Sequence, residues 1–141
     1  MTAGNARATA PWPREIIRME RSQRPILLVV IDTEEEFDWH APFDRKADAV
    51  EAMRHIGRLQ EVFDEFGVRP SYVADYPVVT REHAYAPLKE FQDSGRAVVG
   101  AHLHPWVSPP HEEEVCARNS YPGNLPRELE AAKLRELVDA I

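Results

Sequence analysis

The run Ile26-Leu27-Leu28-Val29-Val30-Ile31 passes directly into Asp32-Thr33-Glu34-Glu35-Glu36-Phe37-Asp38-Trp39. A short, β-branched apolar stretch, bounded by Pro25 on one side and acids on the other, reads as a buried strand. Carboxylates crowded at the end of such a strand repel one another, so the arrangement calls for a compensating cation. A second apolar run, Ala97 to Ala101, ends in His102-Leu103-His104-Pro105-Trp106. Acids at one strand tip and histidines at another predict a metal site, provided both tips reach the same edge of a sheet.

The intervening pattern supplies that condition. Val50, Met53, Ile56, Leu59, Val62, Phe63 and Phe66 recur at close to the helical period, and Gly67 comes directly after them, which predicts an amphipathic helix over 48–66. Pro70 to Ala74 reads as a short strand with Asp75 at its end, and Pro77 breaks the segment after it. Thr80 is suited to cap a helix running from Arg81 past a break at Pro87 to Ser94, with Gly95 as its stop. Residues 105–126, rich in Pro, Asn and Ser, read as a substrate-side loop, and 126–141 as a final helix with Leu129, Leu134, Leu137, Val138 and Ile141 along one stripe. Strands alternating with helices imply an α/β fold with parallel strands and right-handed crossovers. All three strands then deliver their C-terminal ends to one rim, where such folds place their active sites.

At 141 residues the chain is long enough for one domain with a core. We expect 1–24 to be a flexible lead-in, with one short helical turn near Glu15 to Met19, and 25–141 to be the domain. The net charge of −7 and scattered basic residues argue against nucleic acid as a partner. The single cysteine, Cys116, has no disulfide or CxxC partner. Residues 1–24 hold arginines and prolines rather than an apolar stretch of signal length, so the expected compartment is the cytoplasm, with no membrane partner.

On a strand, residues two apart share a face, which pairs Asp32 with Glu34 and His102 with His104. Two imidazoles and one carboxylate are a usual ligand set for zinc or a similar divalent ion with positions left open. The other carboxylate is then free to hold or deprotonate a water that the ion has acidified, as metal-assisted hydrolysis requires. Glu35, Glu36 and Asp38 read as loop acids, with Asp38 suited to cap a turn. His40, His55, His83 and His111 read as surface residues, His111 being the nearest to a spare ligand. Trp39, Trp106 and Tyr121 flank the rim, either as platforms for sugar rings or as anchors for long loops. Asp75, at the tip of the middle strand, is a further candidate substrate contact.

From Ile26 onward these residues resemble the NodB-type polysaccharide deacetylases, carbohydrate esterase family four, in its WalW-like branch. The resemblance is carried by Val30-Ile31-Asp32-Thr33-Glu34 with Phe37-Asp38-Trp39, by Gly67-Val68-Arg69-Pro70-Ser71-Tyr72 leading to Asp75-Tyr76-Pro77, by Gly100-Ala101-His102-Leu103-His104-Pro105-Trp106, and by Ser120-Tyr121-Pro122-Gly123-Asn124-Leu125. It implies a distorted (β/α) barrel, present here only in part, that removes acetyl groups from N-acetylated sugars with a divalent metal. By the same resemblance Asp32 is the general base and Glu34, His102 and His104 are the ligands.

Two departures accompany it. The family's metal-binding histidines are usually four apart, but position 106 is Trp, so His104 takes the second place. The later family motifs, including the general acid, have no counterpart before Ile141, and the expected reading is the N-terminal portion of a longer barrel, with little turnover on its own. Two other functions compete: a phosphoesterase or amidohydrolase built on the His-x-His pair, and a non-catalytic carbohydrate-binding module using Trp39, Trp106 and Tyr121.

Overall fold

A computed structural model describes residues 24–141. The expected lead-in and its helical turn lie almost wholly outside the described residues. Within them the order is β1 (Val30–Thr33), a 3₁₀ turn (Glu51–His55), α1 (Ile56–Glu65), β2 (Ser71–Ala74), α2 (Tyr76–Thr80), α3 (Glu82–Asp93), β3 (Val98–Ala101), a 3₁₀ turn (Pro122–Asn124) and α4 (Arg127–Ala140). The three strands form one parallel sheet in the order β1-β2-β3. Among the described residues they do not close into a barrel.

The register Ile31, Tyr72, Val99 and Thr33, Ala74, Ala101 sets one face of the sheet. That face packs against a core of Val50, Met53, Val78, Val79, Ala84, Leu88, Phe91 and Leu137, supplied by the helices and the first 3₁₀ turn. The opposite face, carrying Val30, Asp32, Val73, Val98 and Gly100, has no helix against it among the described residues, and Val30 and Val98 are exposed. Tyr72 is fully buried, and its hydroxyl donates to Gln60 Oε1 at 3.0 Å, which satisfies the two polar groups together. Burial pushes the Tyr72 phenol up to about 12.

Helices α1 and α3 end alike. Gly67 (φ 62°) and Gly95 (φ 74°) take the left-handed conformation after the last helical residue. Val68 N donates to Phe63 O and Gly67 N to Asp64 O, while Arg96 N donates to Phe91 O and Gly95 N to Gln92 O. Both endings are Schellman closures, which a side chain with a Cβ resists.

Several local expectations change. The apolar run from Ile26 is not a buried strand along its length: Ile26, Leu27 and Leu28 are 75–83% exposed, and β1 starts only at Val30, where β2 offers a pairing partner. The helix expected over 48–66 begins as a 3₁₀ turn and becomes α-helical at Ile56. Pro77 does not break the chain but sits in the first turn of α2, where its missing N–H costs nothing. Thr80 caps no helix, since its hydroxyl donates back to Tyr76 O, and α3 starts after Arg81 and runs through Pro87 without ending. No helix among the described residues is long and apolar enough to cross a membrane.

Candidate metal centre

Parallel pairing brings the tips of β1, β2 and β3 to one edge. His102 N donates to Ala74 O and Asp75 N to Thr33 O, so the backbone keeps its ladder one residue past each strand and holds the next residues in place. Beyond that ladder Glu34, His102 and His104 converge. Glu34 Oε2 lies 3.0 Å from His102 Nε2 and 3.3 Å from His104 Nε2, and the two Nε2 atoms are 3.0 Å apart.

Three lone-pair-bearing atoms facing one another repel unless a proton or a cation lies between them. The donor set of two imidazole nitrogens and one carboxylate oxygen suits a divalent ion. With bonds of about 2.0–2.2 Å, a tetrahedral zinc site needs ligand atoms roughly 3.3–3.5 Å apart, so these atoms have to spread by only a few tenths of an ångström. Burial holds the imidazole of His104 below its usual range, against the pull of Glu34, Asp75 and Asp32, and favours the neutral form that ligates metals.

Behind His104 lies a buried acid pair. Glu35 Oε2 is 2.8 Å from His104 Nδ1, and Glu35 N donates to Asp75 Oδ2 at 2.9 Å. Asp75 Oδ1 also accepts from Val78 N at 3.0 Å, so one carboxyl group caps α2 and ties its start to the loop after β1. Glu35 and Asp75 are 3% and 0% exposed. Burial, and then the side-chain contact with Glu35, push the Asp75 carboxyl up to about 8, against the pull of the Val78 and Glu35 N–H groups. Glu35 is raised by burial and lowered by its contact with Asp75.

Compared with family models, with curated proteins and with solved structures, the chain matches none.

The sequence-predicted residues fall into different environments. Glu34, His102 and His104 form the convergent set. Asp32 lies on the helix-free face beside Val73 and Gly100, exposed, and close enough for its charge to act on His104. Asp75 does not reach solvent and works from inside as a cap, so a direct substrate contact has no room there. Trp106, only 3% exposed, is an anchor rather than a sugar platform: its ring stacks on His104 at 4.4 Å and packs against Phe37 and Phe43. Trp39 and Tyr121 are 66% and 68% exposed, and Trp39 joins the same aromatic group edge-on through Phe37.

Glu35 corrects the reading of it as a loop acid. Side-chain alternation continues past β1, so Glu35 falls with Thr33 on the buried side while Glu34 falls with Asp32 on the open one. That alternation was the available signal. Glu36 accepts from Ala52 N at 2.6 Å, and Asp38 accepts from His40 N at 2.9 Å within its own turn. His111 is no spare ligand, since its surroundings are Lys133, Arg45 and Glu113.

The loop that carries His104 onward is clamped from the far side. Lys133 of α4, fully buried, donates to Pro105 O, Ser108 O and Pro110 O at 3.0, 2.6 and 2.6 Å, and lies 2.9 Å from Glu113 Oε2. Burial holds the Lys133 amine below its usual range, opposed by Glu113.

Proposed function

We propose that this chain carries the metal-binding part of a hydrolase of the polysaccharide-deacetylase type, acting on N-acetylated sugars or polysaccharides. The observation that carries the reading is the convergence of Glu34 Oε2, His102 Nε2 and His104 Nε2 within 3.3 Å, at the rim of three parallel strands and next to the exposed Asp32. The strand order β1-β2-β3, with helices on one face, supports an arc of a (β/α) barrel wall whose uncovered face is the barrel interior.

Glu34, His102 and His104 would hold a divalent ion, which would supply Lewis acidity towards water or a carbonyl oxygen. The protein residues do the rest. Asp32 is exposed at the rim, its carboxylate without a hydrogen-bond or ion-pair partner among the described residues, and takes a proton from the attacking water as general base. Trp39, exposed beside the rim, offers an apolar ring face to a sugar.

The test is acetate release from N-acetylated oligosaccharides by the zinc-loaded full-length protein, with and without a chelator. Release that the chelator abolishes and that Asp32→Asn reduces by about 100-fold or more supports the reading, on the scale general-base loss takes. Hydrolysis of phosphate esters without acetate release would replace it with the phosphoesterase reading. Asp32→Asn with full activity would remove Asp32 from its role.

A further inference from the structure

We propose that Glu35 is a positioning residue for the metal centre, fixing His104 as the Nδ1–H tautomer so that Nε2 is the ligand atom; the consequence for metal binding rests on the metal-site reading above. A ring nitrogen presents a lone pair only when the ring's single proton sits on the other one. His104 has its Nδ1 2.8 Å from Glu35 Oε2, and an ionised carboxylate can only accept there. The proton is therefore drawn to Nδ1, and the Nε2 lone pair faces Glu34 and His102.

Glu35 is itself held in place. Its backbone N–H is bonded to Asp75 Oδ2, Asp75 is pinned by Val78 N at the start of α2, and the Trp106 ring stacks on the imidazole at 4.4 Å. Carboxylate, imidazole and ligand atom thus form a line anchored in the core at one end and open at the other. His102 differs, because its polar side-chain contacts run through Nε2, to Glu34 and His104. The two histidines of the pair are unequal: His104 is oriented by the fold, and His102 closes on the ion from the more exposed side. Outer partners of this kind set ligand orientation and basicity in metal sites.

The experiment measures zinc affinity by chelator competition and, on the metal-free protein, the His104 tautomer by long-range ¹H–¹⁵N correlation. The variants are Glu35→Leu, Glu35→Gln and Glu36→Leu. Glu35→Leu removes the acceptor and is expected to weaken zinc binding by about 10- to 100-fold, with His104 shifting towards the Nε2–H form. Glu35→Gln keeps an acceptor oxygen without the charge and is expected to recover part of the loss. Glu36→Leu removes the same charge one residue on, from an exposed position, and is expected to bind zinc as the parent does. Folded Glu35→Leu protein that binds zinc as tightly as the parent would overturn the inference, as would an Nε2–H tautomer in the parent. The parent spectrum needs no variant to fold. A parent with the Nδ1–H tautomer that binds no zinc would sink the metal-site reading while leaving the tautomer lock standing.

Discussion

Glu35 and His104 stand sixty-nine residues apart in the chain and are joined at 2.8 Å in the structure, a buried carboxylate behind an imidazole whose other nitrogen faces Glu34. That contact divides the acidic cluster after β1 into an inner and an outer set. Glu35 and Asp75 support the centre from within, while Asp32 and Glu34 face outward. Different substitutions should therefore produce different losses.

The proposed ligands and the proposed base separate experimentally. Glu34→Ala, His102→Ala and His104→Ala each remove one of three donors and are expected to weaken zinc binding by at least about 100-fold, the upper end of what even outer-partner changes cost. Asp32→Asn is expected to bind zinc within a few-fold of the parent and to lose activity. Zinc titration and acetate release, measured on the same preparations, decide it. Loss of zinc binding in Asp32→Asn would make Asp32 a ligand.

The buried acid pair makes metal-free stability fall with pH. The Asp75 carboxyl titrates near 8 when folded against 3.8 as its ordinary value, so between these pH values the folded chain binds the extra proton and the slope is negative. Below pH 6.5 the depressed His104 works in the opposite direction, because there the unfolded chain binds more protons. The window in which Asp75 acts unopposed by His104 is pH 6.5 to 8, with a slope of up to about 1 kcal/mol per pH unit. Denaturation midpoints of the parent should decline across it, and those of Asp75→Asn should not. A parent profile that rises through this window would refute the assignment of the proton to Asp75.

Lys133 supports the histidine-bearing loop through three carbonyl oxygens and Glu113. Lys133→Met leaves a buried carboxylate and three carbonyls short of a donor, and about 3–5 kcal/mol of stability should be lost. Adding Glu113→Leu should return part of that loss, although Arg45 then loses its partner at 3.3 Å. Urea unfolding of the single and double variants measures both. A single-variant cost under about 1 kcal/mol would mean that the clamp holds nothing.

The two tryptophans at the rim should behave in opposite ways. Trp106→Ala opens a cavity between His104, Phe37 and Phe43 and is expected to cost about 3–5 kcal/mol. Trp39→Ala, at a 66% exposed position, should leave stability within about 0.5 kcal/mol and raise KM for an oligosaccharide with kcat unchanged. An unchanged KM would show Trp39 to be a loop anchor alone.

A pair of glycines in and after α1 tests the helix ending. Gly67→Ala, at φ 62°, is expected to destabilise by about 1 kcal/mol. Gly57→Ala, inside α1 with open space around its added Cβ, is expected to stabilise by about 0.5–1 kcal/mol. Thermal unfolding of the two variants should show shifts of opposite sign.

The sequence by itself determined the order of the three strands and of α1, α3 and α4, because those are set locally, but not α2, which lies where Pro77 reads as a break. Helical spacing in α1, the glycines at 67 and 95 and the short apolar stretches of β2 and β3 are properties of neighbouring residues. Period-two alternation also made Glu34, His102 and His104 legible as one candidate set, once parallel strands put their tips on a common edge. Only the tertiary structure decided where β1 begins and which acids turn inward. Pairing with β2 starts at Val30, so Ile26 to Leu28 stay exposed despite their apolar character. Glu35 and Trp106 are buried because His104, Asp75 and the aromatic rings close around them from distant parts of the chain. Composition cannot report that burial: whether a carboxylate is solvated or enclosed depends on partners that meet only when the strands have been laid side by side.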